Sequence, residues 1–374
     1  MTPRLAFGPA VECAYPTHPF RLWEVHTMTF SSRSRYTLFL CAALSAFVGC
    51  TGAQTPTTNT AMPHSAAIKP LAIQGRSWML PQARAIKKLL YVSDYAIGGL
   101  VYVFNYDTGA LLGELSNTPA QGQCVDARGD VWITGLGAVA EYAHGSIWPT
   151  KTLTTNGYGT GCSVSPNGDL AVANSAPSTS SGSADVQVWR HASGSPSTYY
   201  SNSACPMPGP PGYDDKGNLY FESQLNSSGP YPVCLLAKGA KQIRQVSFNH
   251  RIDAVGSTQW DGKHIALTDS NYKGKHTTAI YRVKELGSGD LKIIGKTVLY
   301  DKCESLYANE EYWLFIVGKE NTPVNHEQGH VVVGGNMLCN NRVSYWLYTA
   351  GGYPTKSLSA APTHPQGESV SIAP

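Results

Sequence analysis

Charge is scarce in this chain: only 14% of its 374 residues are Asp, Glu, Lys or Arg, and the formal net charge is +3. No basic stripe interleaved with aromatics occurs, so the electrostatic footprint of a nucleic-acid binder is missing. Long helices usually need more Lys, Glu and Leu than this sequence supplies. The one long apolar run, Tyr36 to Val48, is too short for a comfortable transmembrane helix. No CxxC pair is present, which removes the commonest cysteine-rich zinc sites. What is plentiful instead is Gly (37), Pro (24) and Tyr (21). That mixture suits many short strands joined by tight turns.

The N-terminus reads as a targeting device. Arg33 and Arg35 precede the apolar run, which ends in Phe47-Val48-Gly49-Cys50. A positive segment, a short apolar stretch and small residues before a cleavage point make a secretory signal peptide. The Val-Gly-Cys end resembles the lipobox of bacterial lipoproteins, and that resemblance implies acylation at Cys50. Phe47 stands where Leu is more usual, so plain secretion is the alternative. Met28 sits just ahead, which divides the chain into an upstream extension (1–27), a signal peptide (28–49), a tether (50–84) and a domain (85–374). The tether is rich in Thr, Pro and Ala, and buries too little apolar surface to offset its ordering entropy.

Internal repeats decide the architecture of the domain. A recurring unit has a short strand, a Gly or Asn turn, and an apolar strand. Copies are Cys124-Val-Asp-Ala-Arg-Gly-Asp-Val-Trp-Ile-Thr134 and Cys162-Ser-Val-Ser-Pro-Asn-Gly-Asp-Leu-Ala-Val-Ala-Asn174. Tyr213–Phe221, Trp260–Thr268 and Leu306–Ile316 follow the same plan. The turn residue falls at Gly129, Gly168, Gly217, Gly262 and Glu310, at steps of roughly 40–50 residues, the length of one four-stranded propeller blade. An outer half repeats as well: Glu141–Leu153 matches Trp346–Leu358, each with Pro opening an edge strand that has a donor to spare. Leu89–Ser93 and Leu100–Phe104 supply a first blade that lacks its innermost strand. The C-terminal Gly367-Glu-Ser-Val-Ser-Ile matches Gly122-Gln-Cys-Val-Asp-Ala, so the chain end is expected to close the ring and remove a free sheet edge.

The expectation is an all-β, six-bladed β-propeller of four-stranded antiparallel blades over 85–374. This pattern resembles the NHL-like and TolB-like propellers and, more distantly, the gluconolactonase group. An Asp/Asn-Gly turn before an apolar strand speaks for the fold and says little of activity.

Outside Cys13, Cys41 and Cys50, six cysteines remain. An even number in an exported domain implies disulfides. In such propellers the inner strand starts at the top face, where the loop between second and third strands also lies. On that basis the expected pairs are Cys124–Cys162, Cys205–Cys234 and Cys303–Cys339, with free buried thiols as the alternative.

The same face gathers the candidate chemistry. Glu304 and Glu368 each open an inner strand, with Gln123 and Asp253 at the matching places of other blades. Converging carboxylates need a cation, a proton or a basic group, or else water and backbone donors. Ca²⁺ or another divalent cation on Glu304 and Glu368 is one solution. The gluconolactonase resemblance implies a Glu of this kind holding a catalytic metal. His326-Glu-Gln-Gly-His330 has HExxH spacing, but Gly329 and the nearby Pro323 argue against the helix a zinc protease needs. These histidines are expected in a top-face insertion over 319–342, near the carboxylate mouth. Trp132, Trp189 and Trp313 are expected to pack between blades.

The resulting functional expectation is a monomeric, membrane-anchored envelope lipoprotein. Its propeller would bind an unknown ligand or envelope protein on the top face. A metal-dependent, lactonase-like hydrolase or lyase is the alternative.

Overall fold

The computed structural model describes residues 76–94, 99–116, 118, 120–175, 184–224, 230–272, 277–287, 289–300, 314–317, 330–336, 342–358 and 362–374. All fall in the compact unit Pro70–Pro374. Cys50, Cys303, Glu304, Trp313, His326 and Cys339 lie outside the described residues.

The described residues form five antiparallel sheets. The first contains β1 (Trp78–Met79), β2 (Lys88–Asp94), β3 (Leu100–Asn105) and β4 (Leu111–Leu115). The second holds β5 (Gln123–Val125), β6 (Val131–Tyr142), β7 (Pro149–Val164), β8 (Leu170–Ser175), β9 (Asp185–Trp189) and β10 (Ser197–Tyr200). The third is β11 (Gly212–Tyr213), β12 (Leu219–Glu222), β13 (Val233–Leu236) and β14 (Arg244–Gln245). The fourth is β15 (Val255–Trp260), β16 (Ile265–Asp269), β17 (Thr277–Glu285) and β18 (Leu291–Tyr300). The fifth is β19 (Leu314–Ile316), β20 (His330–Asn336), β21 (Arg342–Tyr348) and β22 (Lys356–Leu358). The C-terminal β23 (Pro365–Ile372) joins the first sheet beside β2, in the order β1-β4-β3-β2-β23. The last strand of the chain thus completes the first blade, as the split repeat implies.

The described residues make five blades, not six. The copies beginning at Cys124 and Cys162 share one six-stranded sheet. The cause is β7, which runs 16 residues without a break. Its first part pairs with β6, from Tyr142↔Pro149 to Ala138↔Thr154, and its second part pairs with β8, from Gly159↔Asn174 to Val164↔Leu170. Asn156 holds the crossing point. Its backbone N–H donates to Gln187 Oε1 at 2.8 Å, and its Nδ2 donates to Asp185 Oδ2 at 2.9 Å. Gly157 follows because a Cβ there would lie 2.6 Å from the Ser175 carbonyl. The strand therefore changes partner across 155–157, three residues that carry no ladder pairing.

A second correction concerns the last repeat. Leu306–Ile316 was expected to carry an inner strand, a turn and a second strand. Instead β19 (Leu314–Ile316) is the inner strand, and its partner is β20, from Leu314↔Gly334 to Ile316↔Val332. The run Val331-Val-Val, expected in an insertion, is a β-branched stretch that pairs on both sides, as such residues favour.

The repeated turn has one physical basis. Asp126 Oδ1 accepts the N–H groups of Arg128 and Asp130, each at 2.9 Å. Asp214 Oδ1 does the same for Lys216 (2.9 Å) and Asn218 (2.7 Å), and Asp261 Oδ1 for Lys263 (2.9 Å) and His264 (2.7 Å). The chain then needs a left-handed residue, and Gly129 and Gly217 supply it at φ +82° and +86°.

Between blades lie apolar layers. Trp132 and Trp189 are about 1% exposed and share one layer within the second sheet. Leu267, Ala279 and Tyr281 of the fourth blade pack on Tyr220, Val233 and Leu235 of the third. Ala266 and Ile280, on the opposite face of the fourth blade, pack on Trp346 of the fifth. Burying each large side chain contributes about 1.5–3 kcal/mol.

Candidate functional site

Inner strands from all five sheets surround a cavity of about 230 Å³. Its wall includes Gln123, Ser163, Pro210, Gln259, Ile316 and Glu368. Three carboxylates line it, those of Asp126, Asp214 and Glu368, and among the described residues no Lys, Arg or His does.

Two of those three acids brace turns. Asp214 accepts from its own turn and from Asn218 Nδ2 at 2.9 Å. Asp126 binds its turn and the Arg128 guanidinium at 2.9 Å. That guanidinium also reaches Asp130 at 3.0 Å and Glu141 at 2.7 Å. Ligand oxygens of Asp126, Asp130 and Glu141 lie within 4.8 Å of one another, so the spacing would suit a cation. Arg128 already supplies the positive charge there, and the cluster is an ionic clamp between a turn and β6.

Glu368 is nearly fully buried (4% exposed). It is the fourth residue of β23, which begins at Pro365, rather than the first as expected; it pairs with Val92, and its side chain lies over Gly335 of β20. A Cβ at Gly335 would come within 2.1 Å of Glu368 Oε1, so only glycine leaves room for the carboxylate at this seam.

Gln123 lines the cavity too, but its amide is used in closing the ring. Nε2 donates to Ser93 Oγ at 2.8 Å and to the Gly367 carbonyl at 3.2 Å, while Oε1 accepts from Ser369 Oγ at 2.6 Å. Asp253 does not line the cavity; its carboxylate is paired with Arg251. His330 begins β20, and its backbone is five residues from Gly335, about 16 Å along an extended strand. Its backbone therefore sits at the far end of its strand from Gly335, the residue beside Glu368. His330 is not on a helix, which the zinc-protease spacing would require.

The described residues do not fit a catalytic divalent cation in this cavity. Ca²⁺ needs six to eight oxygens. Asp126 and Asp214 are held by their turns, which leaves Glu368 as a single carboxylate with interactions of its own, and Gln123 is spent on blade-to-blade bonds.

Two of the three expected disulfides are present. Cys124–Cys162 ties β5 to the second part of β7 and forms part of the cavity wall. Cys205–Cys234 joins the chain ahead of β11 to β13, and both of its residues are fully buried. Cys303–Cys339 lies outside the described residues.

The sequence reading missed a second repeating device, at the C-terminal end of the second strand in the first, third and fourth blades. Asp94 accepts the N–H groups of Thr363 (2.6 Å) and His364 (3.2 Å), the two residues just before β23. Asp269 accepts those of Asp253 (3.1 Å) and Ala254 (3.2 Å), the two residues just before β15. Ser223 takes this role in the third blade, accepting from Met207 N–H at 3.0 Å. Beside it, Glu222 Oε2 accepts from Gly256 N–H of the next blade at 2.7 Å. Burial raises the Glu222 carboxyl well above the ordinary range and lifts Asp269 to about 6. The signal was an acidic or hydroxyl residue directly after each apolar second strand, as in Ser93-Asp94, Glu222-Ser223 and Thr268-Asp269.

No protein-family model matches the chain, and no curated protein matches it. Solved structures do. A *Bacteroides caccae* protein of unknown function is 10% identical with a TM-score of 0.52, over 76% of this chain and 99% of that one. *Kuenenia stuttgartiensis* hydrazine synthase is 12% identical at 0.48, over 74% and 83%. A protein assigned by name to the gluconolactonases is 15% identical at 0.46, over 70% and 85%. At such identities, the first of these likenesses speaks for the fold alone and the other two carry no argument. The fold they accompany is an all-β propeller.

Proposed function

We propose that this protein is an exported, lipid-anchored propeller that binds a small neutral or cationic ligand in its axial cavity. The observation that carries the reading is the cavity wall: carboxylates, amides and hydroxyls from the first four blades beside an apolar strip from the fifth, with no cationic side chain among the described residues. An anion entering such a space would meet like charge and no compensating donor of opposite sign. A neutral polyol could exchange hydrogen bonds with Ser163 and with inner-strand backbone. The anchor rests on Cys50 and the apolar run before it, and it leaves the propeller tethered through the Thr- and Pro-rich segment.

Titration calorimetry on the exported chain, with neutral sugars, a divalent cation and a sugar phosphate as probes, tests this. Saturable binding of a neutral or cationic probe is expected, weakened at least tenfold by Ser163→Trp, which fills the cavity. Binding of the sugar phosphate alone would overturn the charge argument. Labelling with a radioactive fatty acid, lost in Cys50→Ala, is the expected result for the anchor.

The alternative is a metal-dependent hydrolase. Its support is Glu368, at the cavity wall where the gluconolactonase resemblance would place a metal-binding Glu. Since the described donors do not complete a metal site, no reaction step is derived from it.

A further inference from the structure

We propose that Glu222 and Asp269 form a buried proton-binding site across the seam between the third and fourth blades, with Glu222 holding the proton as a neutral acid. Strand alternation places the two groups. Tyr220 faces the fourth blade in the apolar layer, so Glu222, two residues on, faces it as well. Leu267 faces the third blade in the same layer, so Asp269 faces back toward Glu222. Both residues are 0% exposed.

Each carboxylate has one oxygen in well-formed hydrogen bonds and one that makes none of normal geometry, with the Thr268 N–H also near the Glu222 carboxyl. Glu222 Oε2 accepts from Gly256 N–H, and Asp269 Oδ1 accepts from backbone N–H groups of the chain entering β15. Glu222 Oε1 and Asp269 Oδ2 are buried and lack hydrogen-bond partners. Two ionised groups of like sign, dry and facing each other, are strongly unfavourable. Among the described residues no cationic side chain is paired with Glu222. Asp269 is its charged neighbour from β16. Behind Asp269 stand Asp253, already paired with Arg251, and Tyr281 of β17, whose hydroxyl is 2.6 Å from His250 Nε2. A hard cation would want many more oxygens than these two. A single proton suffices: it neutralises one acid and gives it a donor to aim at the other.

Losing that proton would act through β15. Gly256, anchored by Glu222, precedes Ser257 and Gln259, and these two grip the inner strand of the fifth blade. Ser257 Oγ bonds Leu314 through both its N–H (3.1 Å) and its carbonyl (2.9 Å). Gln259 bonds the N–H (2.7 Å) and carbonyl (2.9 Å) of Ile316. Deprotonation at one seam therefore strains the strand that holds the next.

The test compares melting temperatures of the wild type and Glu222→Gln from pH 5 to pH 8.5. The amide is neutral at every pH and can still accept from Gly256 and donate toward Asp269. The two proteins are expected to agree within about 2 °C at pH 5, with the variant about 4 °C or more above the wild type at pH 8.5. A gap that stays constant, or that favours the wild type as pH rises, overturns the proposal. Should the variant not fold, carbon-13 NMR of glutamate carboxyls in the wild type decides. One carboxyl carbon holding its protonated shift through pH 7 supports the site, and titration of all of them below pH 6 refutes it. Asp269→Asn, which removes the facing charge, is expected to move that late titration to lower pH.

Discussion

Two seams of this propeller are both polar, yet they are polar in opposite ways. The closing seam, where β23 and β2 meet the second sheet, is tied by a network of neutral hydrogen bonds, with Gln121 Oε1 left buried and unmatched. Gln123 spans Ser93, Ser369 and the Gly367 carbonyl, while Ser371 Oγ donates to the Gly129 carbonyl at 2.5 Å. His144 sits 2.7 Å from Ser371 Oγ and 2.8 Å from the Ile86 carbonyl. The seam between the third and fourth blades has instead two buried carboxylates, each with an oxygen left over. The first arrangement joins chain ends that are far apart in sequence, and it is built almost wholly of neutral groups. The second lies between consecutive blades and stores charge. A seam closed by the last strand pays its loop-closure entropy late, and satisfied neutral bonds are a robust way to hold it. A seam between neighbours can tolerate a group whose ionisation depends on pH.

The largest expected effect breaks the closing seam sterically. Gly129 has φ +82°, and a Cβ there would lie 2.1 Å from the Ile372 carbonyl. Gly129→Ala therefore suffers backbone strain and pushes β23 away together. A loss of about 3 kcal/mol or more in chemical denaturation is expected. Gly168 has almost the same φ, +81°, with nothing within 4 Å of its would-be Cβ. Gly168→Ala is expected to cost only about 1 kcal/mol, from backbone conformation alone. If the two variants lose equal stability, the contact with Ile372 contributes nothing and the contrast between seam and free turn is lost.

A smaller effect comes from the amide of Gln123. Gln123→Ala removes three hydrogen bonds and leaves Ser369 and the Gly367 carbonyl to find other partners. About 1–3 kcal/mol is expected, since each buried polar group left unmade carries its desolvation cost. Gln123→Glu sharpens the comparison. It places a carboxylate where Nε2 donates to the Gly367 carbonyl at 3.2 Å, importing into the closing seam the charge that characterises the other one. Its stability is expected to fall further as pH rises above the carboxylate range, whereas Gln123→Ala is expected to show the pH profile of the wild type.

The two seams also mark what was legible in the sequence. The Asp-x-x-Gly turns, the split first blade and two cysteine pairs could be read because each is local chemistry at a fixed spacing. Gly129 and Gly217 must be left-handed, and Asp126 and Asp214 must cap them, whatever surrounds the turn. The blade count was not legible in this way. Whether the edge strand at Pro149 and the inner strand at Gly161 are separate depends on Asn156 reaching Asp185 and Gln187, and those contacts exist only after folding. The buried Glu222 and Asp269 were missed for a related reason. An acid after an apolar strand reads as the first residue of a solvated loop, and only the neighbouring blade buries it. The axial Glu368 was found, but Gly335, which makes room for it, fell inside the expected 319–342 insertion.

The smallest effect expected is from His144, and it should carry the opposite sign to that of the carboxylate seam. Burial pushes the His144 pKa below its ordinary value of 6.5, while the bond to the Ile86 carbonyl pushes it up. Those influences compete in the hydrogen count as well. The Ser371 hydroxyl has one hydrogen and cannot donate both to the Gly129 carbonyl and to His144 Nδ1. An imidazolium would satisfy both contacts, but the half-buried ring disfavours the charge. Because the folded pKa is depressed, the unfolded chain takes up a proton first as pH falls through 6.5, and the folded state loses stability below that point. The partly exposed ring is screened, so the loss is expected to stay under about 1 kcal/mol. Glu222 and Asp269 work the other way. Their folded pKa values are raised, so their contribution is complete at low pH and fades as pH climbs, for Asp269 from 3.8 to about 6. Denaturant titrations of the wild type from pH 5 to pH 8.5 should therefore show stability falling as pH rises, less steeply below pH 6.5, where His144 opposes the fall. His144→Gln should steepen the fall below pH 6.5 alone, and Glu222→Gln should flatten it across the whole window. If His144→Gln changes the profile above pH 7, or Glu222→Gln leaves it unchanged, the contrast between a neutral closure and a charged one is wrong.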